Sequence, residues 1–205
     1  MADEKEGLLE KGLERGLELV GAHQRAATDA AAHAPDVHEA VRQLFARDLR
    51  RVYSAHHQGA AQAAENRDLA SDPELRAALA RGVDENAKQA ARLEEVFRFA
   101  GHAVEGTPDA AMQGIVDDNK AANAEAAEGP AGGAVARDQQ LIASGQLAAH
   151  YYLARYGTLR SYARTLGNED AAKLLQETLD ETARVDEAFT RLAHHLIVAA
   201  ARGGA

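Results

Sequence analysis

The stretch HYYLARYGTLRSYARTLGNEDAAKLLQETLDE, residues 150–181, predicts the end of one long helix, a tight break and the start of another. Apolar side chains recur at spacings of three and four on both sides of the break. Gly167 interrupts this pattern, and Asn168 can cap the helix that follows. Because only about two residues separate the two helices, they must run antiparallel and bury facing sides.

The composition indicates an all-α fold. Aromatic residues make up only 4% of the 205-residue chain, so the core must be built from leucine, valine and alanine. Small side chains let helices pack closely, whereas a sandwich of sheets needs more β-branched and aromatic residues. The chain has no cysteine, which excludes disulfide scaffolds, thiolate metal sites and cysteine nucleophiles.

The charge balance argues against nucleic-acid binding. The chain has 32 acidic and 23 basic residues and no dense stripe of lysine and arginine. We interpret the basic cluster Arg47, Arg50 and Arg51 as a solvated helix face. The sequence has neither a recognisable signal peptide nor a run of 18 apolar residues, so we expect a cytoplasmic protein that does not enter a membrane.

Prolines and capping residues divide residues 35–200 into four long helices and one short helix. The long helices are predicted at about 35–66, 73–100, 135–166 and 169–200, and the short one at about 107–127. Short turns join the first long helix to the second and the third to the fourth, while more than thirty residues separate the second from the third. Two antiparallel hairpins joined by one long crossover form a ferritin-like four-helix bundle.

Residues 1–34 are predicted to be an N-terminal segment, with an amphipathic helix at residues 7–20 and an alanine-rich linker behind it. Two interpretations of the helix remain open. Its apolar stripe can pack on its own domain, or it can dock a second subunit or another partner. We expect a homo-oligomer, specifically a dimer, and a frayed tail at residues 201–205.

Polar side chains from all four long helices are predicted to meet at mid-height of the bundle, given a rise of about 1.5 Å per residue. Carboxylates and imidazoles that converge from several helices are the ligands with which bundles bind iron or manganese. The candidate metal ligands are Asp48, His56, Glu85, His150, Glu181 and Asp186.

These candidates also have structural interpretations. His150 can bond a backbone group or a tyrosine hydroxyl inside the core. Glu85 and Glu181 can be boundary residues that pair with Lys88 and Arg184. The sequence alone leaves both interpretations open.

The segments ELRAAL and RLEEVFRFAG in the second helix, and YGTLRSYARTLG and AAKLLQETLDE in the last two, are distinctive. Through them, residues 41–196 resemble the YciE/YciF-type ferritin-like stress-response family. The resemblance implies a ferritin-like bundle, a dinuclear non-haem metal site and chemistry with oxygen or peroxide.

The ligand pattern that the resemblance implies is incomplete. The third long helix would carry Glu-His-Tyr-Glu but reads AHYY at residues 149–152, and Gln89 and Thr182 stand where further acids are usual. No Glu-x-x-His pair occurs in the chain. The remaining donors suffice for one ion rather than two, so two functions stay open. One is a stress-response protein with an altered or remnant iron or manganese site and weak ferroxidase or peroxide activity, and the other is a non-catalytic helical scaffold.

Overall fold

The computed structural model describes residues 37–128 and 133–203, and these residues form five helices and no strand. The helices are α1 (Val37–Leu69), α2 (Pro73–Phe99), α3 (Ala110–Glu128), α4 (Gly133–Thr165) and α5 (Glu169–Gly203). The predicted all-α bundle is confirmed, and its helix bounds lie within a few residues of those expected. The contacts divide the chain after residue 40, and residues 41–205 form the unit discussed below. The helix predicted at residues 7–20 lies outside the described residues.

The turn between α1 and α2 is closed by two carboxylates. Asp72 caps α2, because its Oδ1 accepts the backbone N–H groups of Glu74 and Leu75 at 2.9 Å each. Asp138 of α4 is 4% exposed and binds the same turn from outside. Its Oδ1 and Oδ2 accept the N–H groups of Ser71 and Asp72 at 2.8 and 2.9 Å. The first hairpin is thereby fixed to α4.

The other helix starts also follow local rules. Gly167 adopts φ +71°, a left-handed conformation that glycine favours, and ends the α4 pattern. Asn168 then caps α5 by accepting the N–H of Ala171 at 3.1 Å, as predicted. At α3 the capping side chain is Asp109, which accepts the N–H of Met112 at 2.8 Å. The short helix therefore begins at Ala110.

Two apolar cores lie at opposite ends of the bundle. The core near the α4–α5 turn draws on all four long helices and consists of Phe45, Leu49, Val52, Leu93, Val96, Phe97, Tyr156, Leu159, Ala163, Ala171, Ala172 and Leu175. The core near the α1–α2 turn consists of Ala70, Leu75, Leu79, Leu141, Ile142, Phe189 and Leu192. The members of each core show that α1 and α5 run in one direction and α2 and α4 in the other, as the connection lengths predicted.

The crossover returns along α1 before α3 begins. The N–H of Thr107 donates to the carbonyl of Arg50 at 3.2 Å, and the N–H of Asp109 donates to Gln58 Oε1 at 2.9 Å. α3 then packs its Met112 and Val116 against α1 and runs beside α4. Among the described helices, none is long and apolar enough to cross a membrane.

Candidate functional site in the polar middle of the bundle

His56 lies at the centre of a hydrogen-bonded group that joins three helices. Its Nδ1 is 2.5 Å from Oδ1 of Asn86 in α2, and its Nε2 is 2.6 Å from the hydroxyl of Tyr156 in α4. The imidazole stacks on Tyr152, with ring centroids 4.4 Å apart. His56 is only 1% exposed, while the adjacent His57 faces solvent. Both imidazole nitrogens of His56 are therefore engaged by the protein.

The partners of His56 determine its protonation. The amide oxygen of Asn86 can only accept, so Nδ1–H donates to it, and Nε2 accepts the hydroxyl proton of Tyr156. Burial lowers the pKa of His56 from 6.5 to about 4, because the charged imidazolium loses its hydration. Burial also raises the pKa of Tyr156 well above its ordinary value. At neutral pH the group is a network of neutral side chains.

Glu181 is bound by an arginine. Arg92 of α2 donates from Nη1 and Nη2 to the two carboxylate oxygens of Glu181, at 2.7 and 2.8 Å. Gln89 Nε2 adds a hydrogen bond at 3.3 Å, and Arg92 Nη1 also donates to Thr178 Oγ1. The hydrogen bond from Arg92 lowers the pKa of Glu181 and is the main cause of that shift. The cation that pairs with Glu181 is thus Arg92 rather than Arg184.

The other candidate ligands are distributed over separate places. Asp48 is buried and accepts a hydrogen bond from Arg47 Nε at 2.9 Å. The side chain of His150 is 65% exposed, so the interpretation that it bonds a group in the core is wrong. Its Nε2 lies 3.4 Å from Oδ1 of Asp186. Glu85 is half-buried on the wall of a cavity.

The residues present do not fit a dinuclear carboxylate site. Such a site draws carboxylates from all four helices together with two imidazoles. Of the six candidate ligands, the structure brings His150 and Asp186 into contact, whereas His56 and Glu181 are bound to other protein groups. In the part of the chain that the structure describes, no three His, Asp or Glu side chains are grouped to hold a metal ion. That any of the six binds a single ion stays a prediction.

A cavity of about 150 Å³ lies between the four long helices and α3, on the side of the His56 network nearer the α1–α2 turn. Next to it, a groove of about 160 Å³ lies between α2 and α5. The cavity and the groove share four lining residues, Gly82, Glu85, Val185 and Phe189. The cavity therefore adjoins the groove between these two helices.

One wall of the cavity carries buried carboxamides, which we call the amide wall: Gln62 and Asn66 of α1 and Asn119 of α3. Each of the three is 5% exposed. Asn66 Oδ1 accepts from Gln62 Nε2 at 3.0 Å and from Asn123 Nδ2 at 3.1 Å. The amide oxygens of Gln62, Asn119 and Asn123 have no hydrogen-bond partner among the described residues. Buried acceptors without partners cost free energy, so the amide wall requires an explanation.

The sequence interpretation missed the amide wall, although a signal was present. Gln62 and Asn66 are four residues apart in α1, and Asn119 and Asn123 are four residues apart in α3. Residues at this spacing share one face of a helix. Two such amide pairs on neighbouring helices indicate a polar contact between them.

Comparison with known proteins identifies the family. Residues 40–202 match the family described as "Domain of unknown function (DUF892)". The chain belongs to this family. This DUF892 chain is 33% identical over 154 residues to Protein YciF of Escherichia coli strain K12. The aligned residues cover 75% of this chain and 90% of that protein. The resemblance to the YciE/YciF-type family is confirmed.

Two solved structures are similar to the DUF892 bundle. The E. coli stress protein YciF matches with a TM-score of 0.70 at 30% identity, over 77% of this chain and 96% of that chain. YcfI from Rhodopseudomonas palustris matches with a TM-score of 0.67 at 28% identity, over 73% and 92%. The similarity spans nearly the whole of both relatives.

Proposed function

We propose that this DUF892 protein is a stress-response protein of the YciF type whose bundle acts without a dinuclear metal centre. Support for the stress role comes from the E. coli relative, which is described as a stress protein and is similar over most of both chains. Support for the second part comes from one contact in the polar middle, the pairing of Arg92 with Glu181.

The guanidinium of Arg92 takes the position that a cation would need beside Glu181. Both carboxylate oxygens accept from it, so a metal ion has to displace two charge-assisted hydrogen bonds. A divalent ion next to a retained arginine also meets strong repulsion at short range. The middle of the bundle is held together by direct bonds between protein groups, and we propose that it binds at most one iron or manganese ion per chain. Ferroxidase or peroxide activity is accordingly weak or absent.

The metal content of the full chain, purified without a tag, tests this proposal. After exposure to Fe(II) or Mn(II) and gel filtration, elemental analysis is expected to find at most one ion per chain, with Fe(II) oxidised no faster than in buffer. The variant Glu85→Ala/His150→Ala is compared with Glu187→Ala/His195→Ala, which removes an exposed carboxylate and an exposed imidazole. Two tightly held ions that only the first variant abolishes would overturn the proposal.

A non-catalytic scaffold that acts through association is the second candidate. The direct bonds of His56 and Glu181 to their neighbours favour it, because these bonds join the helices and already occupy the donor and acceptor atoms of both side chains. In this proposal the chain is a homodimer, and residues 7–20 form the contact to a second copy or another partner. Deletion of residues 1–22 is then expected to convert the oligomer into a smaller species, which light scattering detects as a lower mass of the assembly. An unchanged mass would refute this role for the segment.

A further inference from the structure

We propose that the cavity beside the amide wall binds a small neutral molecule that carries a hydroxyl group on a hydrocarbon body. The site is distinct from the predicted metal ligands, of which only Glu85 lines the cavity. Its volume of about 150 Å³ limits the ligand. A cavity of about this size accommodates benzene, so a molecule of roughly six or seven heavy atoms fits.

The amide wall determines the polar end of the ligand. The oxygens of Gln62 and Asn119 have no partner among the described residues and are buried in the wall of the cavity that both residues line, so a small rotation of either side chain brings an acceptor within reach of a ligand. The amides of Gln62, Asn66 and Asn123 can also be rotated together by 180°, which preserves the Gln62–Asn66 and Asn66–Asn123 hydrogen bonds. In that arrangement the donor Nε2 of Gln62 takes the place of its oxygen. A hydroxyl group donates and accepts, so it matches either arrangement.

Most of the remaining cavity surface is apolar and determines the hydrocarbon body. Met112, Ile115 and Val116 of α3 line one side, and Leu79 and Phe189 line another. Burying a hydrocarbon against these side chains is favourable by about 25 cal/mol for each Å² removed from water. A polar wall on one side and an apolar wall on the other therefore select an amphiphilic molecule.

The charges of the cavity disfavour anionic ligands. Of the described residues that line it, Glu85 alone is charged, and it lies on the wall shared with the outer groove. The interior beyond it is neutral, so an anion would lose its hydration without gaining a partner of opposite charge. A phosphate or carboxylate group is thus a poor occupant.

The entrance lies at Gly82. A β-carbon at this position would meet no atom within 4 Å, so the space beside the glycine is open. Gly82 lines both the cavity and the outer groove. A small molecule can therefore pass between α2 and α5 at this position, and a larger side chain there would block the passage.

Phenol and toluene are suitable probes, because they share a ring and differ in the hydroxyl group. The full-length ¹⁵N-labelled protein is titrated with each in the presence of EDTA, so that metal content does not affect the result. Phenol is expected to bind at least tenfold more tightly than toluene, with chemical-shift changes concentrated at the lining residues. Equal affinity, no binding of either compound or changes scattered over the surface would overturn the proposal.

Two leucine substitutions test the location. Gly82→Leu is expected to weaken phenol binding at least tenfold, while Gly114→Leu leaves it unchanged. Gly114 is the matched control because it is also helical, has no atom within 4 Å of an added β-carbon and does not line the cavity. Thermal unfolding verifies that both variants fold. Unchanged phenol affinity in a folded Gly82→Leu variant would show that the phenol site lies elsewhere.

Asn119→Leu tests the amide wall independently of the entrance. It removes a buried oxygen that has no partner among the described residues, so we expect a folded protein. The preference for phenol over toluene is expected to fall several-fold, because the hydroxyl loses one of its two acceptors. A preference that stays the same would contradict the assigned role of the amide wall.

Discussion

The ring of Phe189 in α5 lies so close to the backbone of Gly145 in α4 that a β-carbon at position 145 would come within 2.8 Å of Phe189 Cε2. Phe189 is 5% exposed and belongs to the core near the α1–α2 turn. The absence of a side chain at position 145 is therefore what lets the ring pack directly against α4.

Gly145→Ala is expected to destabilise the protein by about 1–3 kcal/mol, because the buried ring has to move to make room for the methyl group. Urea unfolding measures the change. Gly157→Ala in the same helix is the control, since nothing lies within 4 Å of its added β-carbon. There the higher helix propensity of alanine is expected to stabilise the fold by up to about 1 kcal/mol. A gain of stability in both variants would contradict the close contact.

Leu175→Ala is expected to cost about 2–5 kcal/mol, because the leucine is removed from a core shared by four helices and leaves a cavity. Leu175 is 1% exposed, whereas the nearby Lys173 faces solvent. Lys173→Ala is therefore expected to change the free energy of unfolding little. Similar losses in the two variants would show that the orientation of α5 is wrong.

The buried His56 is expected to make the protein less stable in mild acid. Its pKa is about 4 in the folded state against an ordinary value of 6.5. The unfolded state therefore binds more protons between these values, and stability present above pH 6.5 is lost as the pH falls towards 4. The full effect is about 3 kcal/mol, from about 1.4 kcal/mol per pKa unit.

Urea unfolding at pH 7 and pH 4.5 tests this dependence in the wild type and in His56→Gln. The glutamine retains groups that can bond Asn86 and Tyr156 but does not titrate. The wild type is expected to lose about 2–3 kcal/mol more than the variant over this range. Carboxylates whose pKa is lowered, such as Glu181, cancel in the comparison. An equal loss in both proteins would mean that His56 is not buried as a neutral group.

The pairing of Arg92 and Glu181 is expected to appear as a coupling free energy in a double-mutant cycle. The side chains are 19% and 26% exposed, so solvent screens the pair only partly. We expect the substitutions Arg92→Leu and Glu181→Gln to couple by about 1 kcal/mol in urea unfolding. Glu177→Gln, at an exposed residue 3.9 Å from Arg92, is expected to couple less. A coupling near zero for Glu181 would weaken the proposed function, which rests on this contact.

The helix order and the turns could be predicted from the sequence because they depend on local chemistry. Asp72 and Pro73 open α2, and Gly167 and Asn168 separate α4 from α5, through rules that act over a few residues. The connection lengths then left few ways to arrange four helices. The caps predicted from these local signals are present in the fold, so tertiary packing did not override them.

The inward faces were harder to predict because some helices are buried on more than one side. α4 contacts both α3 and α5, so its buried residues do not form one stripe. The predicted orientation of α4 placed His150 inside the bundle, whereas the side chain faces solvent. The partner of Glu181 lies 89 residues away in sequence, and no local rule connects the two. The cavity likewise depends on the position of α3, which the sequence pattern did not determine.

The two hydrogen bonds by which Asp138 binds the α1–α2 turn have a consequence for protein engineering. The two hairpins are joined covalently only through the crossover, yet each supplies part of both cores. A chain cut between residues 128 and 133 therefore yields two polypeptides, each with apolar faces that only the other can cover. We expect them to reassemble, with Asp138 setting their alignment along the bundle axis. Halves that reassemble in this way would serve in split-protein complementation, in which two independently fused halves report that their fusion partners have met.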